Sequence, residues 1–366
     1  MLHLEIEATN FCNTRCLHCP HEALARPLGK MEWRTFQTIM DKVYALEKEV
    51  SIEFAGMGEP LLNPLIYRFI GHVSECAQTS LTTNASALTP ANIRRLIDAG
   101  LDRLTISFNG VDKESYGLMM GGLDFARAEK NLRTAIGMAR GRRMKIAANI
   151  SVTKPLQARL TEIHAYLTHA GVQTVFFSKC HNRGGCLNDP TICDTPLPPE
   201  WARTRCDIFA NTFFVVWNGD VLSCCHDLAG ANKLGSLVTD ELPQILAQRQ
   251  AIVERGVDFA LCEGCNDMYR YMHAPTPDGS PLAEWIYALY AGEDAHTQKM
   301  IARIRELDSQ VAVKDARIDA LNAQLAEIVN SRGWRWLNWL RRVRLTLAPR
   351  GSLRERLVFG SADKRA

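Results

Sequence analysis

The stretch Cys12-Asn-Thr-Arg-Cys16-Leu-His-Cys19 places three cysteines within eight residues, directly after a strand-like segment at residues 2–8. Short cysteine runs on loops are typical of iron–sulfur sites, where thiolates ligate the irons. Three local thiolates hold three irons of a [4Fe–4S] cluster and leave the fourth iron open to a chelating molecule. Structural zinc is the alternative, but it favours paired C-x2-C arms that supply four ligands. The stretch therefore predicts an iron–sulfur cluster with one open coordination site.

The chain around this loop alternates between strand and helix patterns over residues 1–178. Strands are predicted at 2–8, 50–55, 79–83, 103–108, 144–152 and 172–177. Helices are predicted near 32–46, 64–74, 90–99, 125–139 and 157–169. β/α repeats with short connections favour a parallel sheet that curls into a partial (β/α)6 TIM-like barrel, an α/β fold. In such barrels the chemistry lies at the carboxyl ends of the strands.

Changes of pattern divide the rest of the chain into further segments. Residues 179–200 are rich in proline and cysteine and indicate a linker. Residues 201–273 predict a small α+β module, with a hairpin turn at Asn218-Gly219. Heptad spacing within residues 282–330 favours a coiled coil, with a long helix folded back on the body as the alternative. Residues 331–366 form a basic tail rich in tryptophan and arginine.

Charge is unevenly distributed along the 366 residues, whose formal net charge is +3. The tail alone holds ten basic and two acidic residues. Arginines interleaved with tryptophans favour contact with a membrane surface or a protein partner, and nucleic acid is not expected. The coiled coil suggests a homo-oligomer. We expect a cytoplasmic protein, peripheral to a membrane at most, because no secretory signal or membrane-length apolar run is visible. Twelve cysteines in a reducing compartment favour metal binding over disulfides.

The cysteine loop resembles the signature of the radical S-adenosylmethionine (SAM) superfamily, C-x3-C-x-Φ-C, with His18 at the usually aromatic position Φ. The resemblance covers about residues 1–270. It implies that Cys12, Cys16 and Cys19 ligate a [4Fe–4S] cluster whose open iron binds SAM. It also implies reductive cleavage of SAM to a 5′-deoxyadenosyl radical that abstracts a substrate hydrogen. The electron would come from a reducing protein such as flavodoxin or ferredoxin.

Motifs at five successive strand ends agree with a SAM site. Residues 56–60, Gly-Met-Gly-Glu-Pro, resemble the GGEP motif of the family, which binds the SAM ammonium group. Residues 107–109, Ser-Phe-Asn, resemble its S-x-D ribose motif, with asparagine in place of aspartate. Taken singly, each polar residue has an ordinary alternative as a cap or turn residue. The predicted cofactor-binding residues are His18, Gly58, Glu59, Thr83, Asn84, Ser107, Asn109, Asn149 and Ser151.

A second cysteine set resembles the SPASM/twitch extension of radical SAM enzymes. Cys206 precedes Gly219 by twelve intervening residues, Cys224 follows after four more, and Cys262-Glu-Gly-Cys265 comes later. No cysteine follows Cys265 in the sequence, which favours the shorter twitch form with one auxiliary [4Fe–4S] cluster. The resemblance implies four thiolate ligands and a role in electron relay. Zinc is the alternative.

The sequence gives candidates for the catalytic residues but no assignment. Arg183 follows the sixth strand and is a candidate for binding a carboxylate or phosphate, with an exposed loop arginine as the alternative. Cys180 and Cys186 are candidate hydrogen donors, and Cys193 has no assigned role. The leading hypothesis is oxidation of a sugar, nucleotide sugar or cyclitol in a glycan or natural-product pathway, with epimerisation as its variant. The alternatives are modification of a peptide or protein, and a non-enzymatic metal-cluster scaffold acting through its coiled coil.

Overall fold

The computed structural model describes residues 2–193, 197 and 204–271, with seven isolated positions between 317 and 336. The chain divides into two compact units, Met1–His296 and Thr297–Ala366. The predicted coiled coil and basic tail lie outside the described residues, apart from those isolated positions. Within the described part, no helix is long and apolar enough to cross a membrane.

The described residues form eleven strands and ten α-helices. Strands β1 to β11 are Leu2–Ile6, Arg15–Cys16, Val50–Phe54, Ala77–Thr83, Arg103–Ser107, Met120–Gly121, Lys145–Val152, Thr174–Lys179, Thr212–Val215, Asp220–Leu222 and Lys233–Ser236. Helices α1 to α10 are Trp33–Tyr44, Ile66–Val73, Pro90–Asp98, Lys113–Met119, Phe125–Ala139, Lys154–Gln157, Leu160–Ala170, Asp207–Asn211, Leu242–Arg255 and Ala260–Glu263. Short 3₁₀ helices lie at His21–Ala23, Pro60–Leu62 and Met268–Tyr271.

Six parallel strands, in the order β1-β3-β4-β5-β7-β8, form the body of the sheet. The helices between them are amphipathic, and α1 buries the residues that share one helical face: Phe36, Ile39, Met40 and Val43. Local signals set the helix ends. The Thr89 side chain caps α3 by accepting a hydrogen bond from Asn92 N–H, and Gly171 ends α7 in the left-handed conformation. The predicted α/β fold with a partial (β/α)6 barrel is confirmed.

The predicted hairpin of the following module joins the barrel sheet. β9 pairs in parallel with β1, placing Val215 beside Ile6, and β10 and β11 continue the sheet in antiparallel fashion. Phe213 and Val221 belong to the same buried apolar cluster as Leu4. The first strand of the barrel is therefore covered on both sides, and the module is anchored directly beside the cysteine loop that follows β1.

Candidate active site

The cysteine loop, residues 12–19, leaves the carboxyl end of β1 and is fixed by a short antiparallel pairing of β2 with β6. Cys16 lies opposite Met120 in this pairing. The hydroxyl of Thr14 donates a 2.9 Å hydrogen bond to the carbonyl of Gly121. The loop conformation thus depends on a segment more than a hundred residues away in sequence, which follows α4.

The three loop thiols line one cavity of about 140 Å³ together with His18 and the glycine loop, residues 56–59. Burial, with a smaller contribution from the neighbouring thiols of Cys19 and Cys12, raises the pKa of Cys16 to about 12 against the opposing hydrogen bond of Thr14. Burial also raises the pKa of Cys12. Desolvated thiols that converge on one space lose their protons when they bind metal. This donor set fits three irons of a cluster.

Two glycines allow the glycine loop to lie against the start of the cysteine loop. A Cβ atom at Gly58 would lie 2.2 Å from the carbonyl oxygen of Thr9, and one at Gly56 would lie 2.8 Å from the Cβ of Glu7. Gly56 also has a φ of +132°, which side chains rarely adopt. The next amide, Glu59 N–H, donates a 2.9 Å hydrogen bond to the carbonyl of Phe11. Glycine is therefore required here for close backbone approach.

We expect Gly58→Ala to destabilise the protein by about 3 kcal/mol, because the added methyl group meets backbone atoms that cannot move aside. Gly117→Ala is the matched control. Gly117 is exposed in α4, and nothing lies within 4 Å of a Cβ added there. The control should stabilise its helix by about 0.5–1 kcal/mol. Denaturant unfolding of both variants measures the difference, and equal stabilities would contradict the proposed loop contact.

A buried ion pair between Glu7 and Arg26, which no sequence pattern predicted, lies beside the glycine loop. The carboxylate of Glu7 binds the guanidinium of Arg26 through contacts of 2.5 and 2.7 Å, and it also accepts Met57 N–H at 3.0 Å. The backbone N–H of Arg26 donates to the carbonyl of Leu228 in the following module. Both charges are almost fully buried, so each depends on the other for compensation.

Glu59 is buried and accepts three hydrogen bonds from within the chain. Its Oε1 accepts from the Thr83 hydroxyl at 2.8 Å and from Leu61 N–H at 3.1 Å, and its Oε2 accepts from Asn84 N–H at 2.7 Å. A carboxylate has about four acceptor positions, so these bonds leave one on Oε2 for a cationic ligand. Thr83 and Asn84 therefore hold Glu59 in place beside the glycine loop.

The remaining predicted strand-end residues take different positions. Ser107 lines the same cavity as the cysteine loop, whereas Asn149 and Ser151 line a second one. Asn109 is fully buried. Its Oδ1 accepts Ser151 N–H at 2.6 Å, and its amide nitrogen donates to the sulfur of Met120 at 3.2 Å. In this arrangement Asn109 positions two wall residues.

The second cavity, of about 190 Å³, adjoins the first. It is lined by His18, Asn149, Ser151, Ser178, Lys179, Cys180, His181, Arg183, Cys225, His226, Asp267 and Tyr269. His18 and Arg183 line both cavities. Burial, followed by the charge of Arg183, lowers the pKa of His18 to about 3, so this ring is neutral. Its buried Nδ1 has no hydrogen-bond partner among the described residues.

The cysteines of the following module form a second converging set. Burial raises the pKa of Cys224, and the thiols of Cys206, Cys262 and Cys265 raise it further. Burial likewise raises the pKa of Cys262 to about 11, despite the opposing charge of Arg270. The neighbouring Cys225 instead lines the second cavity. The geometry thus favours Cys224 over Cys225 as a member of the four-thiol set.

Two buried arginines flank the four thiols. Arg270 donates to the carbonyls of Cys262 and Cys265 at 2.9 and 3.3 Å. Arg249 donates to the carbonyl of Thr212 at 2.7 Å, and its guanidinium lies 4.6 Å from the ring centre of Phe209. The positive charges of these two buried guanidinium groups favour the binding of a negatively charged group at the four thiols. A cluster ligated by four thiolates fits that requirement.

The candidate catalytic residues lie in separate places. Cys180 is buried and lines the second cavity, where hydrogen bonding with the Cys193 thiol, together with burial, raises its pKa. Cys186 is exposed and lines a groove along the cysteine loop that is separate from the second cavity. Arg183 is half-buried and has a φ of +52°, which is uncommon for a residue with a side chain. Of these candidates, Arg183 and Cys180 reach the inner cavities.

Comparison with known proteins identifies two family matches. The radical SAM superfamily matches residues 6–142, and the SPASM iron–sulfur cluster-binding domain matches residues 206–267.

Two relatives match more than half of the chain. The S-adenosyl-L-methionine-dependent 2-deoxy-scyllo-inosamine dehydrogenase of Niallia circulans is 27% identical over 277 residues, which are 72% of this chain and 92% of the relative. The tungsten-containing aldehyde ferredoxin oxidoreductase cofactor-modifying protein of Pyrococcus furiosus is 24% identical over 258 residues, covering 61% and 71%. A solved structure, native anSMEcpe with bound AdoMet, superposes with a TM-score of 0.58 at 15% identity, covering 83% of this chain and 100% of that one. This last likeness concerns the fold.

Proposed function

Because this chain belongs to the radical SAM superfamily and carries an auxiliary iron–sulfur domain of the SPASM type, we propose that it oxidises a hydroxyl-bearing carbon of a carbohydrate-type substrate. Its cofactors are SAM, a SAM-binding [4Fe–4S] cluster and an auxiliary iron–sulfur cluster. The substrate class is a sugar, nucleotide sugar or cyclitol in a glycan or natural-product pathway. The similarity to a cyclitol dehydrogenase along 92% of that relative's length supports this class.

The observation that carries the proposal is the pair of adjoining cavities. The first is lined by the cysteine loop and the second reaches the module that holds the four-thiol set, with His18 and Arg183 common to both. A substrate bound in the second cavity would have the SAM site on one side and the auxiliary site on the other. When bound, the cofactors supply a 5′-deoxyadenosyl radical on one side and an electron acceptor on the other.

The residues of the chain would hold these groups in place. Cys12, Cys16 and Cys19 would ligate the SAM-binding cluster, and the glycine loop with Glu59 would take the SAM ammonium group. Ser107 would bind the ribose side of SAM. The auxiliary cluster would be ligated by the four module thiols, Cys206, Cys224, Cys262 and Cys265.

The second cavity would bind the substrate. Arg183 offers a guanidinium to a phosphate, carboxylate or hydroxyl group. Ser178 donates a 2.6 Å hydrogen bond to Asn149, which fixes two polar groups on the wall for a hydroxyl-rich ligand.

Epimerisation is a second candidate, and one observation favours it. Cys180 and Cys225 line the cavity that we assign to the substrate. A thiol hydrogen there would be within reach of a substrate carbon. Solvent deuterium in the recovered sugar would favour this reaction over oxidation.

The experiment that tests the proposed function is an anaerobic substrate screen. The cluster-loaded protein is incubated with SAM and reduced flavodoxin, and 5′-deoxyadenosine is measured in the presence of cyclitols, nucleotide sugars or peptides. We expect carbohydrate-type compounds to stimulate SAM cleavage by at least tenfold. Stimulation by peptides alone would contradict the carbohydrate assignment and favour peptide modification.

A further inference from the structure

Three buried metal-ligating side chains converge on the wall of the second cavity. They come from separate segments: His181 follows β8, His226 follows β10, and Asp267 follows the last cysteine of the module. Their exposed fractions are 8%, 4% and 3%. The Oδ2 of Asp267 lies 3.4 Å from Nε2 of His181 and 3.3 Å from Nε2 of His226. One ligand atom from each residue lies within 4.8 Å of the others.

The two distances to Asp267 match the spacing of neighbouring ligands on a shared ion. Ligands about 2.0–2.1 Å from a tetrahedral zinc ion lie about 3.3 Å from one another. The carboxylate is also held in orientation, because its Oδ1 accepts Tyr269 N–H at 3.0 Å and leaves Oδ2 toward the histidines. An outer hydrogen bond that orients a ligand is a common feature of metal sites.

The site is linked to the auxiliary cysteines through the backbone. His226 is two residues beyond Cys224, and Asp267 is two residues beyond Cys265. Arg183 and Arg270 are the positive neighbours and oppose a cation. The thiolates of the adjacent four-cysteine set, which the iron–sulfur domain requires, offset them. The remaining side of the site faces the cavity that we assign to the substrate.

We propose that His181, His226 and Asp267 bind a divalent transition-metal ion whose open coordination position faces the second cavity and takes a hydroxyl or carbonyl oxygen of the substrate. Two histidines and one carboxylate form a donor set found in catalytic zinc and non-haem iron sites. Binding of the ion to His181 requires its ring proton to move from one nitrogen to the other. Nδ1 of His181 accepts a 3.3 Å hydrogen bond from Arg183 N–H, which places the ring proton on Nε2. Binding of the ion at Nε2 moves that proton to Nδ1 and breaks this long hydrogen bond.

The test uses Zn²⁺ alone with the full chain carrying both clusters. After anaerobic removal of unbound metal, we expect about one zinc per chain with a nitrogen and oxygen shell at about 2.0–2.1 Å by zinc-edge X-ray absorption. No retained zinc, or a shell with sulfur at about 2.3 Å, would overturn the proposal. Because turnover is not measured, this result is independent of the substrate assignment above.

Variants locate the ion. We expect His181→Gln and Asp267→Asn to weaken zinc binding by at least tenfold, while His169→Gln, which alters an exposed histidine of α7, binds as the parent does. Iron content is measured in each variant. Should Asp267→Asn lose iron, His181→Gln decides, since His181 is remote in sequence from every proposed cluster ligand. Unchanged zinc affinity in an iron-loaded His181→Gln protein would refute the site.

Discussion

Joint replacement of Cys12, Cys16 and Cys19 by alanine should abolish SAM cleavage while about half of the iron remains bound. The reason is structural. The three thiols line one cavity together with the glycine loop. The four thiols of the module lie near one another elsewhere, since three of them raise the pKa of Cys224. Removing one set therefore takes away one cluster and leaves the ligands of the other intact. 5′-Deoxyadenosine formation and iron per chain are the two measurements.

The matched control for this variant is Cys76→Ala. Cys76 is an exposed cysteine between α2 and β4 and lies outside both cysteine sets. Its replacement should leave SAM cleavage and iron content unchanged. Persistent 5′-deoxyadenosine formation in the triple variant would contradict the assignment of the cysteine loop, and so would a complete loss of iron in the control.

Replacement of Cys262 and Cys265 by alanine should separate SAM cleavage from product formation. We expect iron to fall by about half, from about eight atoms per chain, because the auxiliary cluster loses two of its four ligands. SAM cleavage should persist, because the cysteine loop and the glycine loop are untouched. Product formation should fall at least a hundredfold, since the electron left on the substrate has no acceptor.

Cys225→Ala is the matched control for loss of the auxiliary cluster. Cys225 is adjacent in sequence to the proposed ligand Cys224, but it lines the second cavity. The Cys225→Ala protein should therefore keep its full iron content, whereas the Cys224→Ala protein should lose the auxiliary cluster. Zinc bound at the four thiols, with iron unchanged in the Cys262 and Cys265 variant, would contradict an auxiliary iron–sulfur cluster.

Much of the fold was predictable because its signals are local. Apolar periodicity marks each helix, and Thr89 and Gly171 mark helix ends within a few residues. The radical SAM and SPASM assignments were also predictable, because Cys12, Cys16 and Cys19 lie within eight residues and the spacing of Cys206, Gly219 and Cys224 resembles that of the SPASM/twitch extension. Both assignments are confirmed by the family matches.

The features that could not be predicted from the sequence depend on contacts between distant segments. The parallel pairing of β9 with β1 joins residues some two hundred positions apart, and no local pattern specifies it. The ion pair of Glu7 with Arg26 is invisible for the same reason. Nor could spacing indicate that His181, His226 and Asp267 meet, because the loops that carry them are brought together only when the module packs beside the barrel.

The predicted cofactor residues illustrate the same limit. A position at a strand end tells which edge of the sheet a side chain occupies, but not which neighbour it contacts. Asn109 and Ser107 lie two residues apart, yet Ser107 lines the first cavity while Asn109 bonds the Ser151 backbone. The role of Asn109 toward SAM stays a prediction, and its observed contacts support an indirect one.

In the proposed reaction, a carbohydrate-type substrate gives a hydrogen atom to the SAM side of the paired cavities and an electron to the auxiliary side. The most direct measurement uses a substrate, found in the screen, that is deuterated at the carbon to be oxidised. We expect deuterium to appear in 5′-deoxyadenosine in an amount equal to that of the oxidised product. Oxidised product accompanied by 5′-deoxyadenosine without deuterium would contradict the proposed reaction.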